Sequence, residues 1–135
     1  MPSVSHTEPV DASAAAVWRL VGDFADDSWT GVAIRCDGVG AGALRTVAMP
    51  SGDVVERCDH HDDADRSLAY TVLEGNPFPV TSCSGRVQVV DAGDGRSEVH
   101  WTISYETDAD PAAVERDLTG LLQASAGALR AAAQR

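Results

Sequence analysis

"EVHWTISYETDADPAAVERDLTGLLQASAGALRAAAQR", residues 98–135, changes its hydrophobic period once, and the change decides the fold. Val99, Trp101, Ile103 and Tyr105 alternate with His100, Thr102, Ser104 and Glu106, the pattern of a strand with one dry and one wet face. After Thr107 the spacing becomes helical. Asp110 is placed to cap a helix, Pro111 suits its first position, and Val114, Leu118, Leu121, Leu122, Ser125, Leu129 and Ala132 form one narrow stripe. A helix with one apolar stripe needs a surface to bury it against. The residues upstream must supply that surface.

From 32 to 107 the period is two, punctuated by Gly, Asp and Pro. Strands are expected near 32–37, 43–49, 53–60, 67–74, 80–91 and 97–107, with turns at "GVGAG", "PSG", "DDADR", "EGNPF" and "AGDG". Links this short imply an antiparallel meander. Further upstream, "SVSHTEPV" (3–10) reads as a first strand. "DASAAAVWRLVGDF" (11–24) reads as helix, with Asp11 or Ser13 as cap and Val17, Leu20, Val21 and Phe24 on one face. "ADDSWTG" then leaves Trp29 in a loop. The expected fold is α+β and a single domain over 1–135. A curved antiparallel sheet of about seven strands wraps around a long C-terminal helix, with short helices after the first strand. A curved sheet cannot fill its own concave side. With three Trp, two Tyr and two Phe in 135 residues, the filling is expected to be incomplete, leaving room for a ligand.

Composition removes several classes of function. The formal net charge is −11, which opposes nucleic acid and anionic membrane surfaces. No apolar run of about 18 residues is present to insert in a membrane. The first residues, "MPSVSHTEPVD", carry neither a basic nor an apolar signal region, so a cytoplasmic location is expected. All ten basic residues counted as Lys or Arg are arginines, which excludes Schiff-base chemistry on a lysine and favours planar recognition of carboxylates or enolates. Cys36, Cys58 and Cys83 lack any CxxC spacing and read as free thiols. Without a GxGxxG, P-loop or GxSxG pattern, no cofactor is expected.

"RTVAMPSGDVVERC" (45–58) holds the candidate site. Val47 and Met49 draw Arg45 to the inner face of one arm, and Val54 and Cys58 draw Glu56 to the inner face of the other. The two side chains are expected near or diagonal to one another. A carboxylate and a guanidinium in an apolar hollow can grip a polar ligand end. Alternatively, Glu56 serves as general base while Arg45 stabilises an enolate. Tyr70, Trp101 and Tyr105 are inward aromatics with hydrogen-bonding groups. Trp29 is a candidate for the mouth. Ser125 interrupts the helical stripe, and its hydroxyl either bonds back to the Leu121 carbonyl or meets the ligand. His6 and Glu8 share a face, for which edge solvation is expected. "DHHDDADR" (59–66) invites a metal, but neighbouring strand residues point to opposite faces, so His60 and His61 cannot converge. It reads as a solvated turn, and no metal is expected.

"VDASAAAVWRLVGDF" with Trp29, "GALRTVAMPSGDVVERCDHHDDADRSLAYTV", "VHWTISYE" and the closing helix together resemble the START-like helix-grip superfamily. That superfamily (SRPBCC) includes the birch pollen allergen, START lipid-transfer domains and polyketide cyclase/dehydrase proteins. The resemblance is closest to the compact bacterial polyketide cyclase/dehydrase branch and covers essentially the whole chain. Relatives often carry proline where this chain has Ser13. The resemblance implies a small hydrophobic or aromatic ligand with a polar end, handled by a polyketide cyclase/dehydratase-like protein. It equally implies a non-catalytic carrier or sensor, because this fold hosts many functions. A protein-interaction module, dimerising through a sheet edge as a homodimer, is the third expectation.

Overall fold

Seven strands form one antiparallel sheet in the computed structural model, which describes residues 1–135. In chain order they are β1 (Ser3–Val10), β2 (Ile34–Asp37), β3 (Leu44–Met49), β4 (Gly52–Asp62), β5 (Ser67–Glu74), β6 (Ser82–Gly93) and β7 (Arg96–Glu106). Two helices complete the fold, α1 (Ala14–Val21) and α2 (Pro111–Ala133). The meander from β2 to β7 keeps its chain order, and β1 closes beside β7 to give β1-β7-β6-β5-β4-β3-β2. This is the helix-grip arrangement, a curved sheet holding a long C-terminal helix.

Between β1 and β2 there is one helix, shorter than the sequence periodicity suggested. Ser13 caps it, its hydroxyl accepting from the Ala16 N–H at 3.1 Å. Gly22 ends it, its N–H bonding the Trp18 carbonyl at 2.8 Å. Phe24 therefore lies beyond the helix, buried in the loop that follows. The i+7 spacing had placed it on the helical face. The aspartates after Gly22 explain the early end. Asp23, Asp26 and Asp27 accept from the backbone N–H groups of Ala25, Ser28 and Ile34, which competes with helix continuation.

Two bulges lie in the β4–β5 pair. Val55 pairs with Glu74 and Glu56 with Val72, so Leu73 is skipped; Cys58 pairs with Tyr70 and His60 with Ala69, so Asp59 is skipped. An extra residue reverses the parity of everything beyond it. Val54, Glu56 and Cys58 face inward, and after Asp59 the inward residue is His61. Its ring packs on Trp18 with centroids 5.3 Å apart, and its Nε2 lies 2.9 Å from the Gly22 carbonyl. Trp18 in turn donates to Asp63 at 2.8 Å. The "DHHDDADR" segment is thus the end of β4 and a turn that fastens α1, not merely a solvated loop. His60 and His61 diverge. His60, Asp62 and Asp65 do gather, with His60 and Asp65 both bonded to the buried Ser67 hydroxyl.

The core lies where α2 meets β1, β7 and α1. Val114, Leu118, Leu122, Ala126 and Leu129 are each at most 1% exposed and pack with Val17, Val87 and Val99 in one cluster. Each buried leucine contributes about 1.5–3 kcal/mol. His6 and Glu8 also face this side, since His6 pairs with Trp101 and Glu8 with Val99 on the dry face of β7. They are not solvated edge residues. Glu8 bonds His6 at 2.7 Å and Arg130 of α2 at 3.1 Å, joining the first strand to the end of the last helix. Neither helix is long and apolar enough to cross a membrane.

Candidate functional site

α2 packs on β1, β7 and α1 but stands off from β2 to β5. The gap is a cavity of about 350 Å³, lined by 22 residues of which 16 are hydrophobic. Its floor comes from β3, β4, β5 and β7, its roof from the middle of α2. Two loops form its sides: residues 22–33, which carry Trp29, and residues 75–81, which carry Asn76 and Phe78. Gly75 sets the second loop in place. Its φ is +78°, and any Cβ there would collide with the Asp53 carbonyl at the start of β4. Asn76 then accepts from the Phe78 N–H at 2.9 Å, turning that ring toward the hollow.

Arg45 and Glu56 are the only charged residues in the lining. They sit directly opposite one another on β3 and β4, closer than the diagonal arrangement the sequence allowed. Arg45 donates from Nε to Glu56 Oε1 at 2.7 Å, and its Nη2 lies 2.7 Å from the same oxygen. Glu56 Oε2 receives no protein hydrogen bond. The side chains are only 15% and 13% exposed. The Arg45 guanidinium also lies over the Phe24 ring, 3.9 Å from its centroid, and Nη1 reaches the Phe24 carbonyl at 3.4 Å. Arg45 therefore anchors the loop after α1 as well as pairing with Glu56.

Tyr70 and Trp101 line the same floor. Trp101 Nε1 donates to the Tyr70 hydroxyl at 3.2 Å, and the Trp101 ring meets Trp29 edge-on at 6.4 Å. Burial pushes the Tyr70 phenol well above its usual range, and the Glu56 charge adds to the effect. The phenol stays protonated and serves as a hydrogen-bonding group, not as a base. Trp29 itself sits on the wall. Its indole N–H is sealed from solvent without a partner. Ser125 is on the roof of the cavity, and its hydroxyl makes no bond back to the Leu121 carbonyl. Tyr105 is not in the lining. It is 3% exposed within the core, although it shares the inward face with Trp101 and Ile103.

Several lining residues were not singled out from sequence. Phe78 and Asn76 lay in a segment read only as a turn, where an aromatic in a polar loop was the available signal. Cys83 also lines the cavity. Burial raises its thiol above the ordinary cysteine range, so it is a neutral wall group. Val47, Met49 and Val72 complete the apolar floor, following the same alternation that placed Arg45 and Glu56.

Comparison with known proteins bears on this arrangement. A family model described as "Polyketide cyclase / dehydrase and lipid transport" matches residues 1–134. No curated protein matches the chain in sequence. Among solved structures, an uncharacterized protein from Bacillus thuringiensis is similar at a TM-score of 0.86 and 22% identity, covering 99% of this chain and 100% of that one. Norcoclaurine synthase from Thalictrum flavum, in complex with dopamine and hydroxybenzaldehyde, aligns at 0.74 and 21% identity over 96% and 84% of the two chains. The di-domain ARO/CYC protein BexL of the BE-7585A biosynthetic pathway aligns at 0.80 and 22% identity, over 96% of this chain and 45% of that one. At these identities the likeness shows the fold.

Proposed function

The chain belongs to the polyketide cyclase / dehydrase and lipid transport family, and on that premise we propose that it encloses one small, largely apolar molecule bearing a polar end. One observation carries this reading. A hollow of about 350 Å³ between α2 and the sheet is walled mainly by apolar side chains and holds a single charge pair. That size and polarity suit a small molecule whose greasy body fills the cavity while one polar group meets the pair. Solved relatives of this fold include a synthase with small aromatic molecules bound, which supports an aromatic body for the ligand. The experiment is native mass spectrometry of freshly purified protein. It should show a small molecule retained on the folded chain and lost on denaturation. Protein that neither carries a molecule nor binds apolar probes would contradict the proposal.

A second reading, favoured by the unbonded Oε2 of Glu56, is catalysis of the cyclase or dehydratase kind. Glu56 takes a proton from a carbon beside a carbonyl. The electron pair moves to the carbonyl oxygen, and the free N–H groups of Arg45 stabilise the resulting enolate. With an identified substrate, Glu56→Gln should lower turnover by about 10²–10⁴-fold while binding persists. If turnover survives that change, Glu56 is not the base. A dimer through a sheet edge has no specific observation in its favour.

A further inference from the structure

We propose that the cavity selects uncharged ligands that donate a hydrogen bond to Glu56 Oε2, and that it rejects anions. The inference rests on the cavity reading above and adds the polarity of the ligand to it. Arginine in a pocket ordinarily suggests a carboxylate ligand. The geometry here opposes that. Nε and Nη2 of Arg45 both reach Glu56 Oε1, Nη1 reaches the Phe24 carbonyl, and the face of the guanidinium lies on the Phe24 ring. Two N–H donors remain, but they lie beside a carboxylate that has already cancelled the charge. An anion entering the hollow would set two negative groups against one cation where little water reaches.

Glu56 Oε2 has the opposite character. It receives no hydrogen bond and is not sealed off as the Trp29 indole N–H is. An acceptor in an apolar hollow gains from any hydroxyl brought to it, and a bond to a charged acceptor is among the stronger ones. Three other polar groups of the lining are already paired in part, while the Ser125 hydroxyl and the Trp29 indole N–H, both neutral donors, are not. The Tyr70 hydroxyl accepts from Trp101, Asn76 Oδ1 accepts from Phe78, and Thr30 Oγ1 donates to the Val32 carbonyl. The whole chain, at −11, further disfavours the approach of anions. The ligand class is therefore the small, largely apolar molecule proposed above, bearing a phenolic or alcoholic hydroxyl and no ionised acid.

Three size-matched probes test this: naphthol, its methyl ether and naphthoate, substituted at the same ring position and titrated near neutral pH. The readout is the set of indole N–H signals in a two-dimensional nitrogen–proton spectrum. Trp29 and Trp101 line the cavity and report occupancy, while Trp18, bonded to Asp63 outside it, is the internal control. Naphthol is expected to bind about tenfold more tightly than its methyl ether, which cannot donate, and naphthoate to bind weakest. In Glu56→Gln the pairing charge is gone and Arg45 is freed, so naphthoate should gain about tenfold or more and overtake naphthol. If naphthol and its ether bind alike, or wild-type protein prefers naphthoate, the polarity inference is overturned while the cavity reading stands. If no probe moves the Trp29 and Trp101 signals, the cavity reading fails and takes the inference with it. The wild-type order decides the matter even where the variant does not fold.

Discussion

Gly85 has no side chain because Tyr70 occupies the space one would need. The two residues are directly paired on β5 and β6, and a Cβ on Gly85 would run into the tip of the Tyr70 ring. Gly85→Ala should displace that ring, break the bond from Trp101 and cost about 1–3 kcal/mol, the usual penalty for overpacking. A lower urea midpoint together with a shifted Trp101 indole signal would show it; an unchanged signal would mean the ring is not held there. The ion pair is equally exposed to test. Arg45→Leu alone strands a carboxylate among apolar walls and should cost about 3–5 kcal/mol, whereas adding Glu56→Leu should recover much of the loss. Strictly additive losses would show that the two side chains do not sense one another. At this scale the sequence told which side of the sheet a residue faces, since Arg45 travels with Val47 and Met49, and Glu56 with Val54. It could not tell depth. Tyr105 faces inward like Trp101 yet is sealed in the core, because position along the strand, not parity, decides which inward residues reach the hollow. The choice of Oε1 over Oε2 depends on side-chain geometry, which no pattern encodes.

Elements were the most legible level, because their periods are properties of the local chain. The alternation of β7 and the capped stripe of α2 appear where the spacing placed them, with Asp110 accepting from the Ala112 N–H. The stripe merged two surfaces, however. Val114, Leu118, Leu122, Ala126 and Leu129 form the buried seam, while Leu121, Ala124, Ser125 and Ala128 roof the cavity beside it. Alanine at 126 was overlooked because a small side chain carries little hydrophobic signal. His6 and Glu8 escaped for a different reason. Charged residues at a terminal strand suggest solvent, and only the tertiary path of α2 brings Arg130 over them. Burial works to raise the Glu8 carboxyl, but the bonds from His6 and Arg130 outweigh it and hold it below the ordinary glutamate value. A carboxyl lowered on folding adds stability that is fully present above its unfolded value, about 4.3. That stability disappears as pH falls through the folded value. Glu8→Gln should therefore cost about 1–2 kcal/mol near neutral pH, and the gap from wild type should close in acid. Urea midpoints of both proteins across the acid range measure it, and a constant gap would refute the assignment.

The whole molecule keeps a hollow because its long helix is fastened at one side only. Glu8, Arg130 and Gln134 tie the end of α2 to β1 and to the Asp11 N–H, and α1 wedges against it. Those contacts set the helix over β1 and β7, and its small residues Ala124, Ser125 and Ala128 then face β3 to β5 across a gap they cannot close. The order of elements and the scarcity of aromatics announced such a space. They did not say which strands would wall it, since that depends on the tilt of α2, which is fixed by contacts distant in sequence. A cavity kept open in this way exchanges stability for room. Ala128→Phe puts a ring into the hollow from the roof, where the residue is half-buried and lines the cavity. The filled protein should gain about 0.5–2 kcal/mol, as cavity-filling changes commonly do. It should also bind an apolar probe about tenfold more weakly or worse, because probe and ring compete for the same volume. Thermal melting and a probe titration on the same preparation measure both. Higher stability with undiminished affinity would place the ligand outside the space between α2 and the sheet.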